Sequence, residues 1–260
     1  MDVAIAPVAE LASIAADEIQ KLLNRKPDAV IGLATGSSPL PIYDELARRH
    51  KEDGLSFAKA QGFQLDEYVG IDVNHPERYR NVIEKEIASR VDWPASQVHG
   101  PDGNAKDLSL ACAQYDAAIK AAGGVDLQIL GIGSDGHIAF NEPGTSFASR
   151  THVGVLTEQT RVDNARFFDD DISKVPTLCL TQGLGTIMEA RELVLIATGE
   201  NKAEAIRQLV EGAVSARWPA TIIQHHPNAL ILVDEAAASK LELADYYREK
   251  WAKRDLLGAS

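Results

Sequence analysis

Residues 125–137 read VDLQILGIGSDGH. The first half, Val125 to Gly133, is a nearly unbroken run of Leu, Ile and Val with one Gln and one Asp. Such a run is too short for a helix of useful length. It lacks the alternation of a strand with one wet face, so it predicts a strand covered on both sides by helices, the pattern of a parallel sheet. The run ends abruptly in glycines and polar residues, as a strand does when it leaves a sheet at its carboxyl end.

The same signature recurs on either side. Ala29–Leu33 and Ala60–Leu65 predict strands before it, and Leu193–Ala197 and Ala229–Val233 predict strands after it. Helical patterns separate them. Leu11, Ile14, Ala15, Ile19 and Leu22 fall on one face near the N-terminus, behind a short strand. Ile42 and Leu46 follow the first central strand, a helix is expected around Glu77–Arg90, and Ala203, Ile206, Leu209 and Val210 form another apolar stripe. Strand-helix alternation of this kind predicts an α/β fold: an open, mainly parallel, Rossmann-like sheet with helices on both faces. No repeat, low-complexity tract or Pro/Gly/Ser linker divides the chain, so one domain over 1–260 is expected.

Composition narrows the function. The 260 residues are 45% hydrophobic and 25% charged, which is ordinary for a globular domain. Lys and Arg number 26 against 38 Asp and Glu, a net charge of −12 that argues against a broad nucleic-acid or membrane surface. Two cysteines, Cys112 and Cys179, exclude a disulfide framework and a Cys-rich zinc site. The N-terminus has no basic segment before an apolar stretch, and no apolar run approaches the roughly 18 residues of a membrane span. A cytoplasmic protein is expected.

In an open parallel sheet, ligands bind outside the carboxyl ends of the strands. Four of the expected strand ends carry polar chemistry. Thr35-Gly36-Ser37-Ser38-Pro39 is a glycine-containing turn opening a helix, with Ser38 as a candidate cap and Pro39 at the first helical position. Its N–H groups and hydroxyls suit an anion, and they suit an ordinary capped turn as well. It lacks the Gly-Lys-Ser/Thr of a phosphate loop of the nucleotide-binding kind. Asp66-Glu67 is an acid pair whose members point opposite ways, so at most one faces the rim; it is either a base with its neighbour or a solvated pair. Lys202 sits at an expected helix start, where a cation is not what the dipole favours, so an anionic ligand would explain it. Arg166 is a second cation in a polar stretch and serves equally well as a surface ion pair.

Gly131-Ile132-Gly133-Ser134-Asp135-Gly136 matches G-x-G-x-x-G. Pro143 and Gly144 follow too soon for the helix that a dinucleotide fingerprint requires, so that reading is rejected. The turn instead concentrates Asp135, His137 and Glu142, two carboxylates able to orient an imidazole and fix its tautomer. No H-E-x-x-H or C-x-x-C spacing is present, His225 and His226 read as structural or surface residues, and no metal is expected.

Together LATGSSP, FQLDEYVGI, ILGIGSDGHIAFNEPGTSFASRT, TRVDNARFF, VPTLCLTQGLGTI and ATGENKA resemble the glucosamine-6-phosphate deaminase family, in the family's order and over nearly the whole chain. The D-G-H-I-A-F-N-E-P stretch is the most specific part. The resemblance implies conversion of glucosamine 6-phosphate and water to fructose 6-phosphate and ammonia in amino-sugar breakdown, with no cofactor. It implies proton transfer by Asp66 and ring opening by His137 between Asp135 and Glu142. It implies phosphate contacts from Thr35, Gly36, Ser37, Ser38, Arg166 and Lys202, and a mobile lid at about 152–181. The expected partner is a small sugar phosphate, not a nucleic acid or a membrane, and the family includes single subunits and homo-oligomers.

Two departures concern regulation. Members activated by N-acetylglucosamine 6-phosphate carry a basic pair where this chain has His152 and Gly154, and the tail after Trp251 is short. Weak or absent activation is expected, although Thr145 and Ser146 retain hydroxyls in that region. The rival readings are a 6-phosphogluconolactonase, which lacks the I-A-F-N-E-P continuation, and a non-catalytic sugar-phosphate sensor. A sensor need not keep Asp66, His137 and Glu142 together.

Overall fold

The computed structural model describes residues 1–257; the last three residues of the tail, 258–260, lie outside the described part. In chain order the elements are β1 (Asp2–Ile5), α1 (Val8–Arg25), β2 (Val30–Leu33), α2 (Leu40–Asp53), β3 (Gln61–Gln64), β4 (Asp66–Tyr68) and α3 (Tyr79–Glu86). They continue with β5 (Val98–His99), α4 (Leu108–Ala121), β6 (Leu127–Leu130), β7 (His152–Val155), α5 (Glu158–Ala165) and β8 (Leu178–Thr181). The last are α6 (Leu184–Ile187), β9 (Glu192–Ala197), α7 (Ala203–Glu211), β10 (Ala229–Val233) and α8 (Ala244–Ala252).

Seven strands form one sheet in the order β1-β10-β9-β6-β2-β3-β5, and every pairing within it is parallel. All four residues of β2 and of β6 are buried, as their Val/Ile/Leu composition predicts for strands covered on both faces. The helices supply that cover. α1 buries Leu11, Ala15, Ile19 and Leu22 along one stripe, and α7 buries Ala203, Ile206, Leu209 and Val210. α2 stops where Gly54 turns left-handed at φ 75°, a conformation a side chain would disfavour.

The strand order reverses at β2. β3 lies on one side of it and β6 on the other, so a crevice opens between the carboxyl ends of β2 and β6. The Thr35–Ser38 turn and the Gly131–His137 turn leave the sheet there.

A second sheet, β4-β8-β7, is antiparallel. Single-strand periodicity did not reveal it, because β4 and β3 are separated by Leu65 alone and read as one run. Under this sheet lies a separate apolar cluster that includes Tyr68, Ile71, Phe140, Leu156, Phe168 and Cys179. Phe168 is 4% exposed, stacks near His75 and meets Tyr68 edge-on. Burying such a ring contributes about 1.5–3 kcal/mol, so it pins the segment after α5 to the body.

Two local expectations change. The helix expected over Glu77–Arg90 is α3 followed by a separate 3₁₀ turn at Ala88–Arg90. Ser38 does not cap α2: the cap position is Pro39, with αR backbone and no side-chain hydrogen bond. The second proline, Pro41, sits inside the first turn, where its missing N–H costs nothing. Ser38 is thereby free to face the crevice.

Candidate active site

An open cleft of ≈ 760 Å³ occupies the crevice. Thr35, Gly36, Ser37 and Ser38 line it from the β2 side, Asp66 from the end of β3, His137 from the β6 turn, and Arg166 and Lys202 from α5 and α7. Stretches far apart in sequence thus share one wall. Asp135 and Glu142 are not in that wall; they stand behind His137.

The β6 turn is built to carry an imidazole. A Cβ on Gly133 would fall 2.3 Å from the His137 ring, so only glycine leaves room for it. Gly136 takes φ 86°, and a side chain there would strike Trp218. The loop beyond is held rather than loose. Asn141, fully buried, donates from Nδ2 to the carbonyls of Ile138 and Gln182 at 3.0 and 2.8 Å. That clamp sustains Ala139 at φ 52°, a left-handed conformation costing on the order of 1 kcal/mol for a non-glycine residue. No helix follows the glycines, in keeping with the rejection of a dinucleotide fingerprint.

His137 Nδ1 lies 2.7 Å from Asp135 Oδ1 and 3.7 Å from Glu142 Oε2. The Asp135 carboxylate also accepts the His137 backbone N–H at 3.2 Å. Burial alone would raise the Asp135 carboxyl, but the His137 contacts outweigh it and hold the group at about 2. A carboxylate 2.7 Å from Nδ1 favours the tautomer with the proton on that nitrogen, which leaves Nε2 as the one able to take a proton up. Among the described residues this trio is also the group whose His, Asp and Glu ligand atoms come within 4.8 Å of one another. Both carboxylates converge on a single nitrogen, and the second Glu142 oxygen is taken up by hydrogen bonds. That pattern fits an oriented imidazole better than a cation's ligand shell.

Asp66 and Glu67 divide as strand geometry requires. Asp66 faces the cleft and Glu67 faces the body, where it accepts N–H groups from Tyr68, Tyr79 and Arg80, each at 3.0 Å. Glu67 therefore anchors the N-terminus of α3, a placement that favours a carboxylate. Asp66 is 5% exposed, and no described side chain or backbone group donates a hydrogen bond to its carboxylate. Burial, reinforced by the charge of Glu67, pushes its carboxyl well above the usual range.

Lys202, also in the cleft wall, is the cap residue of α7 after a short 3₁₀ turn at Glu200–Lys202, as its expected helix-start position implies. Burial pushes its ammonium below its ordinary value, with Asp163 working the other way and the nearby Arg166 adding to the shift. Two cations held close together without a shared carboxylate leave room for a doubly charged anion.

Sequence reasoning missed the contribution of α5. Thr160, Asp163, Asn164 and Phe167 line the cleft beside Arg166. Their spacing of three, four and seven is the helical period, so a stripe search over 160–168 would have found them. The segment 152–181 comprises β7, α5, a 3₁₀ turn at Ile172–Lys174 and β8.

An open parallel sheet with a glycine-containing turn at its topological switch and a carboxylate-flanked histidine beside it defines a class of α/β protein that binds its ligand at the strand ends. Residues 4–232 match the model of the glucosamine-6-phosphate isomerase/6-phosphogluconolactonase family, and the chain belongs to that family. The chain is 63% identical to the glucosamine-6-phosphate deaminase of Beutenbergia cavernae, over 98% of either protein. It superimposes on a solved monomeric glucosamine-6-phosphate deaminase with TM-score 0.90 and 42% identity, covering 92% of this chain and 100% of that one. A 6-phosphogluconolactonase from Thermotoga maritima aligns with TM-score 0.71 but 19% identity, over 90% of this chain and 99% of that one, which shows the shared fold alone.

Proposed function

We propose that this chain is a glucosamine-6-phosphate deaminase, converting glucosamine 6-phosphate and water to fructose 6-phosphate and ammonia. One observation carries the reading: a buried carboxylate at Asp66, unpaired among the described residues, shares a cleft with His137 and with the cations Arg166 and Lys202. The identity to deaminases of the family supports it, and so does the Glu142 carboxylate that the I-A-F-N-E-P continuation supplies.

The chemistry follows from the residues. The Thr35–Ser38 turn, Arg166 and Lys202 bind the phosphate, and this remote contact positions the sugar. His137, with Nδ1 held by Asp135, relays a proton between the C1 hydroxyl and the ring oxygen through Nε2, opening the ring to the aldehyde. Asp66 then removes the C2 proton. Electrons flow from the C–H bond to form the C1–C2 double bond of an enol-amine, and the aldehyde oxygen takes up the proton that the substrate's C2 ammonium gives up. Asp66 returns its proton to C1, leaving an imine at C2. Water adds to C2, and ammonia departs as the ketone forms. A base for a carbon acid benefits from a raised carboxyl, which Asp66 has. The carbonyl and imine of the substrate serve as the electron sinks.

Segment 152–181 acts as a lid in this reading, since α5 roofs the cleft. The enzyme is expected in the cytoplasm, in keeping with two buried free thiols, Cys112 and Cys179. No described helix is long and apolar enough to cross a membrane. Activation by N-acetylglucosamine 6-phosphate is expected to be weak, because position 154 has no room for a basic side chain: a Cβ there would meet Cys179 Sγ at 2.9 Å. A coupled assay for ammonia and fructose 6-phosphate, run with and without the acetylated sugar, tests both points. Lactone opening without ammonia release would favour the lactonase, and binding without turnover the sensor. A sigmoidal rate curve made hyperbolic by the acetylated sugar would contradict weak activation.

A further inference from the structure

The two oxygens of Glu142 live in different surroundings. Oε1 accepts the Thr157 N–H at 3.1 Å, the Thr157 hydroxyl at 3.3 Å and the Thr160 hydroxyl at 2.6 Å. Oε2 is buried without a hydrogen-bond partner and faces His137 Nδ1 from 3.7 Å. A carboxylate free to turn would share its donors between both oxygens. Here three donors on one oxygen fix which way the other points.

Thr160 supplies the shortest of those contacts. It is 3% exposed and lies in the first turn of α5. Its oxygen lies 3.0 Å from that of Thr157, and Thr157 Oγ1 accepts the Thr160 N–H at 3.2 Å, so the two side chains are held together at the start of the helix. The far end of the same eight-residue helix is capped by Arg166, in the cleft. At 1.5 Å per residue, α5 is a strut about 12 Å long between the phosphate end and the histidine.

From this geometry we infer that Thr160 is a positioning residue: through Glu142 it sets the imidazole of His137, so that a phosphate bound by Arg166 at one end of α5 orders the ring-opening group at the other. Binding energy far from the reacting carbons is thereby used at them. The inference rests on the deaminase reading.

The test compares Thr160→Val, which keeps shape and removes the hydroxyl, with Thr160→Ser, which keeps the hydroxyl. Thr160→Ala, the better helix former, repeats the deletion in a second form. Thr160→Val and Thr160→Ala are expected to lower kcat about tenfold, a fraction of a full acid–base contribution, at nearly unchanged KM. Thr160→Ser is expected to restore it. In a Glu142→Ala background, Thr160→Val should cost nothing further, since nothing remains to be positioned. A wild-type enzyme that releases no ammonia overturns the deaminase reading, and this inference with it. An active wild type overturns the inference alone if Thr160→Val keeps full kcat, if Thr160→Ser fails to rescue, or if the two losses multiply in the double variant.

Discussion

Asp126 and Asp66 are equally buried, each 5% exposed, at opposite ends of the parallel sheet. Asp126 precedes β6 at the amino end. It accepts the Val30 N–H at 2.8 Å, Lys26 Nζ at 2.7 Å and Arg191 Nη1 at 3.0 Å. Asp66 follows β3 at the carboxyl end, has no donor among the described residues, and sits beside a second carboxylate. Desolvating a carboxylate costs several kcal/mol in either place. At the amino end that cost is offset by two cations and an amide, and the group locks β2 to β6. At the carboxyl end it is not offset, and the group is left reactive. The cations repeat the contrast: Lys26 is bonded to Asp126, whereas Lys202 is half-buried and forms no ion pair with a carboxylate among the described residues.

The sharpest way to break this comparison is to neutralise each carboxylate. Asp66→Asn should lower turnover by about 10²–10⁴-fold, the size of a proton-transfer contribution, and near-normal turnover would remove Asp66 from the mechanism. The same variant should not lose stability. A carboxyl raised above 3.8 in the fold holds its proton more tightly there than in the unfolded chain. Its contribution to stability is complete below that value and is lost as pH rises through the raised one. Melting temperatures should therefore show Asp66→Asn gaining on the wild type between pH 4 and pH 7, with no gap at lower pH. A variant that melts lower at pH 7 would mean that Asp66 has an unseen structural partner.

Asp126→Ala is the mirror experiment. It leaves the buried Val30 N–H without its acceptor and releases the partly exposed Lys26 and Arg191, and should cost about 1–3 kcal/mol, read by urea titration, at nearly unchanged kcat. A loss of turnover without a loss of stability would reverse the roles assigned to the two ends. Lys202→Ala should raise KM about tenfold or more with a smaller effect on kcat, because phosphate contact is common to ground and transition states. A drop in kcat at constant KM would place Lys202 in the chemistry. Dialysis against a chelator should change nothing. Activity lost to the chelator and restored by a divalent ion would recast Asp135, His137 and Glu142 as ligands.

The amino end and the carboxyl end also differ in how far they could be read from the sequence. Buried strands and amphipathic helices announce themselves by period, which is why β2, β6, β9 and β10 and the stripes of α1 and α7 were legible. So were the four polar strand ends, since polar residues directly after an apolar run stand out. What stayed hidden depends on contacts between distant segments. Three-residue β4 has no period of its own, and it exists because β8, more than a hundred residues later, pairs with it. The clamp made by Asn141 and the anchoring of Glu142 by Thr160 are likewise fixed by the loop's path in space. Ser38 looked like a cap by composition, but the backbone of Pro39 took that position.

Leu65 alone separates β3 from β4, and Asp66 is paired to Thr181 directly after it. Side chains alternate along an extended chain, so a single added or deleted residue at this junction would exchange the orientations of Asp66 and Glu67. The cleft would then receive the carboxylate meant to anchor α3, and the helix would receive the base. Length at this point is thus as strictly constrained as chemistry: loops elsewhere can absorb insertions, but the step from β3 to β4 tolerates none without undoing the site and the helix together.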